Sequence, residues 1–166
     1  PGGFFGVDVF FTFSGFLITA LLIEEFSKNH EIDLVGFFRR RFYRIVPPVV
    51  LMVLVTMPFT FLVRQDYVAG IGGQIAGVLG FMTNFYELLT GGSYESQFIP
   101  HLFVHNWSLA VEVHYYILWG LAVWFLSKQA KSNGQLKGMV FLLSAAAFLI
   151  SFFSMFIGSF LVTSYS

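Results

Sequence analysis

The chain contains no cysteine. Disulfides and thiolate metal sites are therefore excluded, and the redox character of its compartment leaves no mark on the sequence. Charge is scarce too: Asp, Glu, Lys and Arg make up 11% of the residues, against roughly 25% in a soluble domain. Nine basic side chains balance nine acidic ones, so no basic excess points to nucleic acid. No glycine-rich phosphate loop of the Walker or Rossmann type is present, and no Gly-x-Ser-x-Gly elbow of a hydrolase. Low-complexity tracts and repeats of domain-building length are also missing. There is no basic leader followed by a cleavage site, so residues 3–23 are not a signal peptide.

What the chain has in abundance is apolar surface. Hydrophobic residues reach 57% and aromatics 20%, with 23 Phe among 166 residues. A water-soluble fold of this size has too little interior to hide that much, whereas a bilayer accepts it. Crossing a hydrocarbon core of about 30 Å takes about 20 apolar residues in a helix. Residues 3–23, 45–63, 107–126 and 138–162 meet that requirement. The second of these opens at Pro47-Pro48, where missing N–H groups are tolerated in a first helical turn. The expected fold is an all-α polytopic transmembrane bundle with these four spans. The chain opens at Pro1 rather than Met and stops at Ser166 just after an apolar run. It is read as one partial transmembrane domain, residues 1–166, cut at both ends.

Residues 67–89 are ambiguous. They are apolar on average but carry Gly70, Gly72, Gly73, Gly77 and Gly80 with Gln74, Asn84 and Glu87. Small residues spaced as in Gly73-x-x-x-Gly77 let helices approach closely, yet each Gly weakens a helix by up to about 1 kcal/mol against Ala. Topology decides between a full span and a re-entrant one. Lys28, Arg39, Arg40, Arg41 and Arg44 mark the first basic connection, and Lys128, Lys131 and Lys137 mark another. Both should be cytoplasmic, so an even number of crossings separates them. A full span at 67–89 would make that number odd. A re-entrant or external segment is expected there, followed by a loop over 89–105.

Two carboxylates fall inside spans. An ionised Asp at the bilayer centre costs roughly 2.5–3.5 kcal/mol on insertion scales, so an intramembrane acid is first read as functional. Asp8 shares a helical face with Phe11, Thr12 and Gly15; it belongs either to a site or to the membrane interface. Glu112 lies inside its long apolar span, on a face with Ser108, Tyr115 and Tyr116. A carboxyl held away from water there suits a proton carrier, or a hydrogen-bond anchor between helices. Arg39, Arg40, Arg41 and Arg44 form a dense basic patch. Such patches set topology and attract anionic lipid, and guanidiniums also grip phosphate in bidentate fashion. His101 and His105 have the spacing of a helical metal pair but no third ligand, so no metal site is expected. The sequon Asn106-Trp107-Ser108 abuts a span and is read as coincidental.

Three stretches carry a family resemblance. They are Gly2-Gly3-Phe4-Phe5-Gly6-Val7-Asp8-Val9-Phe10-Phe11 with Ser14-Gly15-Phe16-Leu17-Ile18-Thr19; Phe38-Arg39-Arg40-Arg41-Phe42-Tyr43-Arg44-Ile45-Val46-Pro47; and His105-Asn106-Trp107-Ser108-Leu109-Ala110-Val111-Glu112 with Tyr115-Tyr116. In this order they resemble the motifs of the acyltransferase 3 family of membrane acyltransferases, over roughly the N-terminal half of its domain. The resemblance implies an acyl-CoA, commonly acetyl-CoA, as cytoplasmic co-substrate, with no permanently bound cofactor. It implies a hydroxyl acceptor on a glycan, lipid or small molecule, and a bacterial inner membrane as setting. By the same resemblance Arg39, Arg40, Arg41 and Arg44 engage the donor's phosphates. Asp8, Glu112 and His105 belong to the catalytic interior, with Ser14, Gly15, Trp107 and Ser108 lining the pocket. The family's proposed catalytic His would lie upstream of Gly2, and the fragment alone is expected to be inactive. Val113 and His114 stand where the family more commonly has Glu-Gln. A rival reading is a proton-coupled carrier or flippase using Asp8 and Glu112, but it leaves the arginines only a topological role, and the paired broken helices of such carriers are not visible. A scaffold subunit would explain the hydrophobicity but not the two carboxylates.

Overall fold

The computed structural model describes residues 3–60, 71–90, 103 and 106–164. These form six helices: α1 Gly3–Asn29, α2 Leu34–Thr60, α3 Ile71–Leu79, α4 Thr83–Thr90, α5 Trp107–Gln129 and α6 Asn133–Ser164. No strand occurs among the described residues. The helices α1, α2, α5 and α6 are long and apolar enough to cross a membrane, and the chain is a multi-pass integral membrane protein. At 9 and 8 residues, α3 and α4 reach only about 12–14 Å at 1.5 Å per residue. The described part of 67–89 is thus a pair of short helices, neither long enough to span a membrane.

Capping chemistry explains where helices begin. The Asp33 Oδ1 accepts from the Gly36 amide at 2.9 Å, and the Asp33 carbonyl accepts the first helical bond from Phe37. This is an N-cap, and it starts α2 at Leu34. Pro47 and Pro48 therefore lie in the helix interior, which corrects the expectation of a helix opening at them. Hydropathy detects where charge ends, whereas the helix starts where its amides find an acceptor. The cost falls on the carbonyls of Tyr43 and Arg44, which lose their partners four residues ahead. Ser132 caps α6 in the same way, accepting from the Gln135 amide at 3.2 Å. The Gln135 side chain reaches back to the Lys131 amide, close to a capping box.

The described chain divides into two compact units, one of residues 1–18 and 33–120, the other of 19–32 and 121–166. In the first, Val49 and Val53 of α2, Val78 of α3 and Phe103 form a buried cluster. The α3–α4 hairpin closes through its glycines. A Cβ on Gly73 would stand 2.9 Å from the Tyr86 ring, and one on Gly77 would meet Tyr86 and Thr83. The close approach that the Gly-x-x-x-Gly spacing foretold is made inside this hairpin. Its turn ends α3 in a Schellman pattern, with Phe81 N–H to Val78 and Met82 N–H to Gly77. Phe81 takes the left-handed position, at φ 54°. Further along, Gly120 of α5 lets the Phe37 ring of α2 come within 3.2 Å of its Cβ position.

In the second unit Leu22, Phe26, Val123, Leu136 and Val140 are buried. Asn133 donates to Ser27 Oγ at 2.9 Å, and Lys128 Nζ lies 3.5 Å from Glu31 Oε1. An exposed pair of this kind contributes about 0–1 kcal/mol, so it matters as a marker more than as a clamp. It puts the α1–α2 and α5–α6 connections at the same end, as the charge distribution requires. Glu31→Cys and Lys128→Cys together are expected to cross-link readily, and each single cysteine should react with an impermeant maleimide from the same membrane side. Labelling from opposite sides would overturn this topology.

Candidate active site

Three helices of the first unit turn one face each toward a common cavity of about 360 Å³. α1 contributes Phe10, Phe13, Ser14 and Leu17; α2 contributes Arg41, Arg44, Ile45, Pro48 and Val49; α5 contributes Leu109, Glu112 and Tyr116. Within each set the spacing is that of a single helical face. The lining is apolar except where Ser14, Arg41, Arg44, Glu112 and Tyr116 meet.

The carboxyl of Glu112 is 6% exposed and is held by two hydroxyls. Ser14 Oγ donates to Glu112 Oε1 at 2.5 Å, and the Tyr116 hydroxyl donates to the same oxygen. Ser14 Oγ and the Tyr116 hydroxyl also lie 2.6 Å apart, and either can donate. Three oxygens within mutual hydrogen-bonding reach can exchange a proton through rotation of a hydroxyl, without moving a helix. Arg41 sits above this triangle. Its guanidinium lies 5.5 Å from the Tyr116 ring centroid and 5.8 Å from that of Phe37, a cation–π bracket that positions the head while leaving its donors available. Among the described residues neither Arg41 nor Arg44 pairs with a carboxylate. Two guanidiniums face one carboxyl, so the cavity favours an anionic ligand.

The structure divides the arginine patch. Arg41 and Arg44 are three residues apart and share a face, whereas consecutive residues of a helix are turned by about 100°. Arg39 lines a different cavity. The Arg40 Nη1 and Asp33 Oδ2 both crowd the Cβ position of Gly36, at the start of α2. The four do not all line one cavity: Arg41 and Arg44 share the first, and Arg39 and Arg41 share the second.

The first motif is likewise divided. Asp8 is on an exposed side of α1 and is not among the residues lining the Glu112 cavity. Thr12 Oγ1 donates to the Asp8 backbone carbonyl at 2.8 Å. Gly15 makes room for Tyr115, whose hydroxyl lies 3.2 Å from the glycine's Cβ position. Asp8 and Glu112, the two carboxylates of the carrier reading, do not line this cavity together. In the third motif Trp107 is the half-exposed first residue of α5, and Ser108, partly buried one turn before Glu112, does not line the cavity. His101 and His105 lie outside the described residues. His114 turns away from Glu112 and meets the Phe85 ring edge-on at 5.7 Å. Tyr115 leaves the expected polar face and stacks on Trp119 at 5.8 Å. Among the described residues no three His, Asp or Glu side chains gather as a metal site.

Tyr116 is the residue whose role sequence reasoning did not find. Its four-residue spacing from Glu112 signals the pairing within α5, but nothing local signals Ser14, 102 positions away. Hydrogen bonds between membrane helices average about 0.6 kcal/mol and reach about 1.7. Ser14→Ala and Tyr116→Phe are each expected to lower unfolding stability by about that much. Because they share one oxygen, the double variant should lose less than the sum. Strictly additive losses in a reversible unfolding assay would show that the two hydroxyls act independently.

A family model described as an acyltransferase domain matches residues 1–165. The O-acetyltransferase OatA of Staphylococcus aureus is 35% identical over 130 residues, covering 78% of this chain and 22% of the relative. The peptidoglycan O-acetyltransferase OatA of Listeria monocytogenes is 33% identical over 119 residues, covering 71% of this chain and 19% of the relative. The chain thus spans about a fifth of the length of these curated relatives. No solved structure matches it significantly. With its three motifs in order and the family model matched from residue 1 to residue 165, the chain belongs to the acyltransferase 3 family.

Proposed function

We propose that the protein transfers an acyl group, acetyl in the simplest case, from acyl-CoA to a hydroxyl of a cell-envelope glycan. The observation that carries this reading is that Arg41 and Arg44 line one cavity with the buried Glu112. Phosphate is the anion to which paired guanidiniums are best matched. The glycan acceptor, and a bacterial cell membrane as the setting, rest on the relatives named O-acetyltransferase and peptidoglycan O-acetyltransferase, both from bacteria.

In this reaction the acceptor oxygen attacks the thioester carbonyl. A C–O bond forms, the C–S bond breaks, and the proton lost by the hydroxyl ends on the departing thiolate. Arg41 and Arg44 hold the donor by its phosphates. They stand seven and ten residues from Leu34 at the start of α2, or about 10 and 15 Å along the helix, within reach of a donor entering from the side of the α1–α2 connection. Glu112, fixed by Ser14 and Tyr116, orients the reacting groups and accepts hydrogen bonds, and the hydroxyl triangle gives a proton a short path near the thioester.

The test is donor titration on the full-length protein. A hydrogen bond to a charged group is worth about 1.5–3 kcal/mol, which is roughly a 10- to 150-fold change. Arg41→Ala and Arg44→Ala should each weaken acetyl-CoA binding within that range, and 3′-dephospho-CoA should be a poorer ligand than CoA. Glu112→Gln should retain donor binding and lose most transfer. Unaltered donor affinity in correctly inserted arginine variants would remove the donor assignment.

A further inference from the structure

A second cavity, of about 710 Å³, is lined by α2, α5 and Phe81 and shares Arg41, Ile45 and Tyr116 with the first. We propose that it binds one aliphatic chain of an anionic phospholipid, with the lipid phosphate on Arg39. The proposal does not depend on the donor reading above.

The walls are apolar, formed by Phe42 and Val46 of α2 and Val113 and Ile117 of α5, with Phe81 of the hairpin. The volume is within the range of about 300–1,000 Å³ typical of small-molecule pockets. The groove has two unlike ends. Arg39 is exposed and pairs with no acid among the described residues. From Arg39 to Val46 is seven residues of helix, about 10 Å. Beyond Val46, Phe81 packs against the cluster of Val49, Val53 and Val78, so it closes the end remote from the arginine. Its backbone is left-handed, at φ 54°, a conformation that costs a non-glycine residue about 1–2 kcal/mol. A glycine would fill that turn without strain, but it would leave the groove without an end wall.

Charge and openness together identify the occupant. An unpaired guanidinium at the end of an apolar channel calls for a molecule with one anionic head and one hydrocarbon tail. Val35, 77% exposed, and Phe42, 59% exposed, flank the mouth on a helix that crosses the membrane, so the groove opens sideways toward lipid. Basic pockets between membrane helices on the cytoplasmic side are a known setting for anionic headgroups. Arg41, Ile45 and Tyr116 line both cavities, whereas Arg39, Phe42 and Phe81 line only this groove and Ser14 and Glu112 only the other.

Photo-cross-linking tests this on the full-length protein reconstituted in vesicles of phosphatidylcholine doped with a diazirine-tailed phosphatidylglycerol, or with the phosphatidylcholine of the same chain. The phosphatidylglycerol probe should label α2 and α5 around Phe42 and Ile117 at least several-fold more strongly. Arg39→Gln should abolish the preference, Arg39→Lys should retain most of it, and Ile117→Trp, which fills the groove, should suppress labelling by both probes. Equal labelling by the two lipids would overturn the proposal, as would an Arg39→Gln protein that keeps the preference. Displacement of the label by palmitoyl-CoA at concentrations where phosphatidylglycerol does not compete would reassign the groove to a donor chain and also overturn it.

Discussion

A carboxyl group inside a membrane helix must either be paired or remain a liability of a few kcal/mol. Glu112 meets that constraint by binding hydroxyls from two directions, Tyr116 on its own helix and Ser14 on α1. The bonds themselves are modest; interhelical hydrogen bonds in membranes average about 0.6 kcal/mol. Their main effect is geometric. The pairing sets the phase at which α1 and α5 face one another, and Tyr116 extends the contact to α2 by offering its ring to Arg41. One tyrosine thereby touches polar groups on all three helices that wall the cavity.

The second determinant is the rotation of α2. A run of adjacent arginines looks like a single electropositive feature, but on a helix it radiates in several directions. Arg41 and Arg44 reach the Glu112 cavity, Arg40 stays by the capping Asp33, and Arg39 turns to the apolar groove. Two chemical environments thus adjoin along one helix, with Arg41, Ile45 and Tyr116 lining both. The start of α2 at the Asp33 cap fixes that rotation, since every later residue inherits its angle from the first turn.

The short helices have a supporting role. Because α3 and α4 fold back on each other through Gly73, Gly77 and Tyr86, they present Val78 and Phe81 to α2 without crossing the bilayer. Glycine spacing is ambiguous on its own, since it serves a span and a hairpin equally well.

The four spans, their all-helical character, the shared side of the basic connections and the family motifs were legible in the sequence, because hydropathy, charge and spacing are properties of consecutive residues. Glu112, Ser14, Arg41 and Arg44 were also named from it, each as a member of a longer motif. The sequence did not reveal which motif members converge. Asp8, Gly15 and Tyr115 stand in the same motifs yet point elsewhere, and Tyr116 emerged as the junction only once α1 and α5 were placed side by side. The Pro47-Pro48 boundary was misread because apolarity and helix initiation are set by different groups, the side chains in one case and the amides with their cap in the other. Periodicity within a helix is encoded locally, whereas the angle at which one helix meets another is fixed by contacts between residues some hundred positions apart, and those contacts decided the site.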